Sequence, residues 1–91
     1  MIAHWSARAV RDRERLFDFI EARSIQGALS MDEKIGRAVE LLAGFPMLGH
    51  KGRIKGTFEF RVADQIVLVY RVRPKLQVME IVRLMHSRQD S

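Results

Sequence analysis

The chain has 91 residues, enough for a single domain over residues 1–91, and carries 16 Lys/Arg against 11 Asp/Glu, a net charge of +5. It has no cysteine, and its three histidines, His4, His50 and His86, are scattered, so we expect no disulfide, no metal site and no cofactor. The longest apolar run, residues 66–70, is too short to cross a membrane, and no signal segment is evident, so we expect a cytoplasmic protein.

The positive charge is confined to the second half of the chain. Residues 1–45 contain seven Lys/Arg and seven Asp/Glu, whereas residues 46–91 contain nine Lys/Arg and four Asp/Glu. A basic region of this kind favours a polyanion or an acidic protein segment as partner. A basic surface that is only solvated has the same composition.

The first predicted elements are a short strand and a helix. Residues 1–5 are apolar and stop before Ser6, whose hydroxyl is suited to cap a helix over about residues 7–23. The mixed-sign run 11–15 is typical of a solvated helix face. Trp5 is expected to fill core volume. The apolar stripe of this helix is predicted to contain Val10, Leu16, Phe17 and Ile20.

A second helix is predicted after a connection over residues 24–29, which contains Gly27. Ser30 and Glu33 match the capping box, in which the serine hydroxyl accepts from the backbone N–H three residues on. Gly44 and Pro46 are typical of a helix end. Its core positions are expected to be Ile35, Ala38, Val39 and Leu42.

Residues 46–56 have the composition of a loop that brings backbone close to a ligand. Three glycines stand among basic or imidazole side chains, namely His50, Lys51, Arg53 and Lys55. The segment is not a phosphate-binding P-loop, because it lacks GxxxxGK[ST] and precedes no helix. A flexible connector kept soluble by its lysines is the alternative.

The remaining residues predict three strands joined by tight turns. Thr57–Ala63 alternates with its phenylalanines on one face, Gln65–Arg73 is nearly continuous and therefore central, and Gln77–Met85 follows a turn at Pro74. We expect Val67, Val69, Tyr70 and Ile81 to be buried. The predicted fold is an α/β (α+β) domain: an N-terminal strand, a two-helix hairpin and a three-stranded antiparallel meander, forming an antiparallel sheet covered on one face.

The residue types include no recognisable catalytic set, since there is no cysteine and no GxSxG. Glu59 and Glu80 lie on predicted strands, and we expect a cross-strand Glu–Arg pair, such as Glu59 with Arg71 or Arg83. Several cations are predicted to gather on one sheet face or edge, where arginines suit phosphate or carboxylate recognition: Arg61, Arg71, Arg73, Arg83, His86 and Arg88. His86 is the one group among them suited to proton transfer, although a lone histidine near a strand end is usually structural.

The order of elements resembles the RelE/ParE family of bacterial toxins, the stable halves of type II toxin–antitoxin systems. The resemblance covers nearly the whole chain and is carried by residues 6–9 (SARA), 53–59 (RIKGTFE), 69–72 (VYRV) and 80–86 (EIVRLMH). It implies a growth-inhibiting toxin held by a cognate antitoxin in a hetero-oligomer.

The resemblance is stronger to the ParE-like branch. RelE-like members cleave mRNA on the ribosome and usually carry an arginine at the position of Val67, and many carry a tyrosine at that of Ser87. ParE-like members inhibit DNA gyrase without known catalytic residues. This chain departs from many of them at Phe58 and in lacking Trp-Pro after Gln89.

We therefore predict a toxin that inhibits DNA gyrase and has no catalytic residues. Its partner-binding residues are predicted to be Lys51, Arg53, Lys55, Arg61, Arg71, Arg73, Arg83 and Arg88. The alternative is a ribosome-dependent mRNA endoribonuclease using Arg61, Arg83 and His86. A third class, a non-toxic basic binding module, is distinguished by the absence of a neighbouring gene for an acidic, partly disordered antitoxin.

Overall fold

The structure, a computed structural model, describes residues 1–86 and contains two helices and five strands in this part of the chain. In chain order they are β1 (Ile2–Trp5), α1 (Ala7–Glu21), α2 (Ile25–Gly44), β2 (His50–Lys51), β3 (Phe58–Ala63), β4 (Ile66–Arg73) and β5 (Val78–His86). Short 3-10 turns at Pro46–Leu48 and Pro74–Leu76 precede β2 and β5. The predicted strand, helical hairpin and meander are confirmed.

The strands form one sheet in the order β1-β5-β4-β3-β2, with β4 at its centre as predicted. Strands β3, β4 and β5 are antiparallel neighbours. Strand β1 instead runs parallel to β5, with Ile2 opposite Val78 and Trp5 opposite Ile81. The sheet is therefore mixed and not wholly antiparallel. No tight turn sets the direction of β1 relative to β5, because residues 6–77 separate the two strands.

A second difference lies in the segment predicted to be a loop. Residues His50–Lys51 form β2, a two-residue strand antiparallel to β3, with His50 opposite Glu59 and Lys51 opposite Phe58. Two residues are too few for a periodicity to be visible in a sequence. This short strand makes the basic segment one edge of the sheet.

Both helices pack on one face of the sheet and form the core with it. Tyr70 and Ile81 are fully buried and Val69 is 3% exposed, as predicted, whereas Val67, which lies on the same face of β4 as Val69, is only half-buried. The core cluster contains Ala9, Leu16, Ile35, Ala38, Val39, Leu42, Ile66, Leu68, Tyr70, Met79, Ile81 and Leu84. The side chains of Trp5, Phe58 and Phe60 pack against this cluster, as expected.

Helix α1 begins where predicted, since the Ser6 hydroxyl accepts a hydrogen bond from the Ala9 N–H at 3.0 Å. Its buried stripe differs from the predicted one. Ala9, Asp12 and Leu16 are buried, whereas Val10 is 41% exposed. The buried residues are spaced by three and four positions, as expected for a helix, but they lie on a face turned away from the predicted stripe. This face includes the Asp12 carboxylate, which the mixed-sign run had indicated to be solvated.

The prediction for the start of the second helix is wrong. Helix α2 begins at Ile25 and is capped by Ser24, whose hydroxyl accepts from the Gly27 N–H at 2.9 Å. The predicted Ser30 to Glu33 capping bond is absent because Ser30 lies inside the helix. The helix ends at Gly44, before Pro46, as predicted. None of the helices within residues 1–86 has an apolar stretch long enough to span a bilayer.

Candidate functional site

The helices of residues 1–86 pack on one face of the sheet, and we call the opposite face the open face. Phe58 and Phe60 point to the core, so the alternation of a strand places Glu59 and Arg61 of β3 on the open face. Register extends this face across β4, since Glu59 lies opposite Val69, and Arg71 and Arg73 follow Val69 at two-residue steps. Three of the predicted contact arginines, Arg61, Arg71 and Arg73, therefore share one face.

Two of these arginines flank a carboxylate. Arg71 lies directly opposite Glu80 of β5, and its guanidinium nitrogen is 4.0 Å from the Glu80 carboxylate. Arg73 approaches the same carboxylate at 3.8 Å. All three side chains remain partly exposed, so each pair contributes little to stability. A cross-strand Glu–Arg pair exists as expected, but it is formed by Glu80 and not by Glu59.

Arg83 is held at the edge of β5 by a buried carboxylate. Its Nε and Nη2 donate to Asp12 at 2.8 and 3.3 Å, and the Leu84 backbone N–H donates to the same carboxylate at 3.0 Å. Asp12 is 7% exposed. Beyond the end of β1, the Asp12 carboxylate thus accepts the Leu84 N–H that a neighbouring strand would otherwise bond. This contact holds α1 against β5.

His86 lies on the helix-covered side of the sheet. It stands opposite Ile66, is 8% exposed and contacts the Phe19 ring with centroids 5.2 Å apart. Arg61 stands opposite Val67, which stands opposite Met85. Because neighbouring residues of a strand point to opposite faces, Arg61 and His86 lie on opposite sides of the sheet. The structure does not bring these two residues together.

The basic segment is fixed to the sheet by a buried tyrosine. The Tyr70 hydroxyl donates to the Pro46 carbonyl at 2.6 Å and accepts from the Gly49 N–H at 3.0 Å. Burial raises the pKa of Tyr70, and the Gly49 hydrogen bond opposes that rise. A Cβ at Gly49 would overlap this hydroxyl, so glycine is required where the backbone crosses it.

A second anchor is the carboxylate of Glu59, which is 8% exposed. It accepts from the Arg53 backbone N–H at 3.0 Å and lies 3.5 Å from the Arg53 Nε and 3.8 Å from the His50 Nε2. Thr57 completes the attachment by donating from its hydroxyl to the Ile54 carbonyl at 2.6 Å. The segment is therefore an ordered part of the sheet edge and not a flexible connector.

The basic side chains of this segment point outward, and we call His50, Lys51, Arg53 and Lys55 the basic edge. All four are exposed, with 74% of the His50 side chain and 84% of the Arg53 side chain accessible to solvent. No carboxylate of residues 1–86 lies within ion-pair distance of Lys51 or Lys55. The basic edge is thus a row of exposed basic side chains on an ordered backbone.

A groove with apolar walls runs along the helical hairpin on the other side of the molecule. Trp5, Val10 and Phe17 supply its apolar surface, and its volume is about 480 Å³. The Arg13 guanidinium lies 4.9 Å from the Trp5 ring centroid and its Nε donates to Asp32 at 2.6 Å. Arg13 therefore joins β1, α1 and α2 at the floor of a groove that remains open.

The polar anchors were not visible in the sequence. Asp12 belongs to a mixed-sign run, and only its place at buried helical spacing, three residues after Ala9 and four before Leu16, would have indicated a partner. A lone buried tyrosine does signal a hydrogen-bond partner, but not which one. Arg88 and Ser87 lie outside the described residues. Within residues 1–86, no group of three or more His, Asp or Glu side chains is placed to hold a metal ion.

Comparison with known proteins gives consistent matches. A family model described as the ParE toxin of the type II toxin–antitoxin system parDE matches residues 3–91. A protein of Sinorhizobium fredii (strain NBRC 101917 / NGR234) named "Putative toxin Y4kP" is 35% identical over 87 residues, which cover 94% of this chain and 88% of that protein.

Two solved structures share the fold. The chromosomal ParDE toxin–antitoxin system of P. aeruginosa matches with a TM-score of 0.79 at 18% identity, over 94% of this chain and 95% of that chain. The RelBE2 toxin–antitoxin complex of Mycobacterium tuberculosis matches with a TM-score of 0.62 at 24% identity, over 93% and 95%.

Proposed function

The chain belongs to the ParE toxin family of type II toxin–antitoxin systems, and from that premise we propose that it inhibits DNA gyrase and is neutralised by a cognate antitoxin. The observation that favours gyrase over the ribosome is the separation of the groups an endoribonuclease would use. Arg61 and His86 lie on opposite faces of the sheet, and Arg83 is bound by Asp12.

Cleavage of mRNA needs a cation beside the reacting phosphate and groups that move protons within hydrogen-bond reach. Loss of one such cation lowers the rate by about 10²–10³-fold, and loss of a general acid or base by about 10²–10⁴-fold. The central strand offers Val67 and no cation at the position where RelE-like toxins usually have arginine. An inhibitor that acts by binding needs neither group.

The test of the target is induction of the chain alone in bacteria. We expect DNA replication to stop and a DNA-damage response to follow, while mRNA stays intact. The purified chain should inhibit supercoiling by purified gyrase. Codon-positioned mRNA cuts within minutes of induction, together with uninhibited gyrase, would overturn the proposal.

Two variants test whether the chain cleaves mRNA. His86→Ala is expected to leave toxicity largely unchanged, provided that its thermal unfolding shows that it folds. Because His86 is buried, Arg61→Gln is the safer companion: Arg61 is exposed and its one described side-chain hydrogen bond is to the Asp64 carbonyl. Loss of mRNA cleavage in either folded variant would support the endoribonuclease.

The groove along the hairpin is the proposed seat of the antitoxin. The ParDE and RelBE2 systems named above pair a toxin of this fold with an antitoxin. A segment that is unfolded when free and folds on binding needs a large interface, on the order of 2,000 Å² or more in total. We expect its apolar side chains to enter the groove beside Val10 and its acidic groups to reach Arg61, Arg71 and Arg73.

This seat is tested by Val10→Asp, which places a charge in the groove at an exposed position. Affinity for the antitoxin should fall at least tenfold, whereas Leu76→Asp, at the exposed turn before β5, should have little effect. Association should also slow as salt increases. Equal losses in both variants would refute the groove, and a salt-independent rate would refute the electrostatic part.

A further inference from the structure

We propose that the basic edge binds the phosphate backbone of a nucleic-acid duplex, a function additional to gyrase inhibition. The basic edge consists of His50, Lys51, Arg53 and Lys55, which are exposed along β2 and the turn that follows it. Arg61 extends the same positive surface along β3. The first half of the chain has no net charge, and the excess positive charge belongs to residues 46–91, which include the basic edge.

The first argument is that the basic edge is preformed. Tyr70, Glu59 and Thr57 each hold backbone of this segment through a hydrogen bond of 3.0 Å or less. A Cβ at Gly52 would overlap the Thr57 hydroxyl, so the backbone lies directly on the strand. Lysines that only confer solubility need no such attachment, whereas a binding surface gains affinity when its backbone is already ordered.

The second argument concerns charge. The one carboxylate near the basic edge, among residues 1–86, is that of Glu59, and it is almost fully buried and bonded to Arg53. Its charge is therefore turned inward, while the ammonium groups of Lys51 and Lys55 face solvent without a counter-ion from the described chain. An incoming polyanion meets cations first.

The third argument selects the kind of polyanion. Proteins that bind single strands stack bases on exposed aromatic rings. Here Phe58 and Phe60 pack against the core, and no residue from 50 to 55 is Phe, Tyr or Trp. An acidic peptide that bound as an added strand would require a long strand edge, and β2 has only two residues. A duplex, recognised through its phosphates, requires only the cations.

The test uses the full-length chain, without gyrase, and short fluorescent duplexes of DNA and of RNA. We expect binding whose logarithmic affinity falls linearly with the logarithm of salt concentration, with a slope of about −0.9 per phosphate contact on DNA. The triple variant Lys51→Gln, Arg53→Gln, Lys55→Gln should weaken binding more than tenfold and reduce the slope by about 2–3. The DNA and RNA arms show which duplex supplies the phosphates.

The matched control removes the same charge elsewhere. Arg23→Gln, Lys34→Gln, Arg37→Gln changes three exposed residues around and on α2 and leaves the basic edge intact. It should bind a duplex nearly as well as the unchanged chain. Thermal unfolding of both triple variants should match that of the parent, since all six side chains are exposed.

The proposal fails if neither duplex binds, if both triple variants lose affinity equally, or if an acidic peptide or a single strand binds more tightly than both duplexes. Each of these results concerns the chain by itself. Inhibition of supercoiling by gyrase is measured separately, so either idea can be refuted while the other stands.

Discussion

At the scale of single residues, three buried polar side chains determine how this domain presents its surfaces. Tyr70 and Glu59 fix the basic edge, and Asp12 fixes Arg83 and the edge of β5. The sequence predicted that Tyr70 is buried but not what its hydroxyl holds. The Tyr70 and Asp12 anchors join residues far apart in the chain, and no local pattern encodes such a pairing. Glu59 bonds Arg53, six residues before it, across the turn that enters β3.

Tyr70 is the only tyrosine, so its ionisation can be followed by tyrosinate absorbance. Burial raises its pKa, so in the folded chain the titration midpoint should lie above the value of about 10 found in denaturant. Folding thus favours the neutral phenol. The resulting stability is fully present below about pH 10 and is lost as pH rises through the folded pKa.

The matched variant for this prediction is Tyr70→Phe. Its free energy of unfolding should be lower than that of the parent by about 1–3 kcal/mol at neutral pH, because the Gly49 N–H and Pro46 carbonyl lose their partner. This difference should shrink above about pH 10. A tyrosinate midpoint that is the same in folded and denatured chain would contradict the account.

Asp12 gives a second prediction. Asp12→Ala should lower the free energy of unfolding by about 3 kcal/mol, since it leaves the buried end of Arg83 and the Leu84 N–H without their carboxylate. Chemical denaturation measures the change. Asp18→Ala, at an exposed position of the same helix, is the control and should change stability by less than about 0.5 kcal/mol.

At the scale of elements, the strands with a clear hydrophobic pattern were predicted correctly from the sequence. The meander strands were placed to within one or two residues, because alternation and a continuous apolar run are strong signals. The beginning of α2 was misplaced because Ser24 and Ser30 both precede helix-forming residues. The helix is capped by Ser24 and not by the capping box at Ser30, and it therefore begins six residues earlier than predicted.

The two serines therefore provide a test of the element. Ser24→Ala should destabilise the protein by about 1 kcal/mol, because it removes the acceptor of the Gly27 N–H. Ser30→Ala should be neutral or slightly stabilising, since alanine is the better residue inside a helix. The measurement is the free energy of unfolding of each variant. A larger loss of stability for Ser30→Ala than for Ser24→Ala would instead support the capping box at Ser30.

At the scale of the whole molecule, one core holds the hairpin on the sheet, and Ile81 lies at its centre. Ile81 is fully buried on β5, the strand between β1 and β4. Ile81→Ala should lower the free energy of unfolding by about 2–4 kcal/mol. Ile54→Ala, at a position 50% exposed, is the matched control and should change it little. An unchanged denaturation midpoint for Ile81→Ala would contradict its place in the core.

The overall architecture was predictable because each element has a clear pattern and the resemblance gives their order. The candidate contact surface was predictable only in part. Arg61, Arg71 and Arg73 share the open face as expected, whereas Arg83 is engaged by Asp12 and His86 lies on the covered side. Which face a side chain occupies depends on register, and the irregularity between Val69 and Tyr70 shifts the register of β5 by one residue.

The parallel pairing of β1 with β5 has a consequence for how the domain folds. Within the described chain β1 has no other strand neighbour, and its register joins Ile2 to Val78. The helices and the meander depend on local contacts and can form early, but this ladder closes a loop across most of the domain. We therefore expect the pairing of β1 with β5 to complete the sheet, and we expect loop closure, more than helix formation, to limit the folding rate.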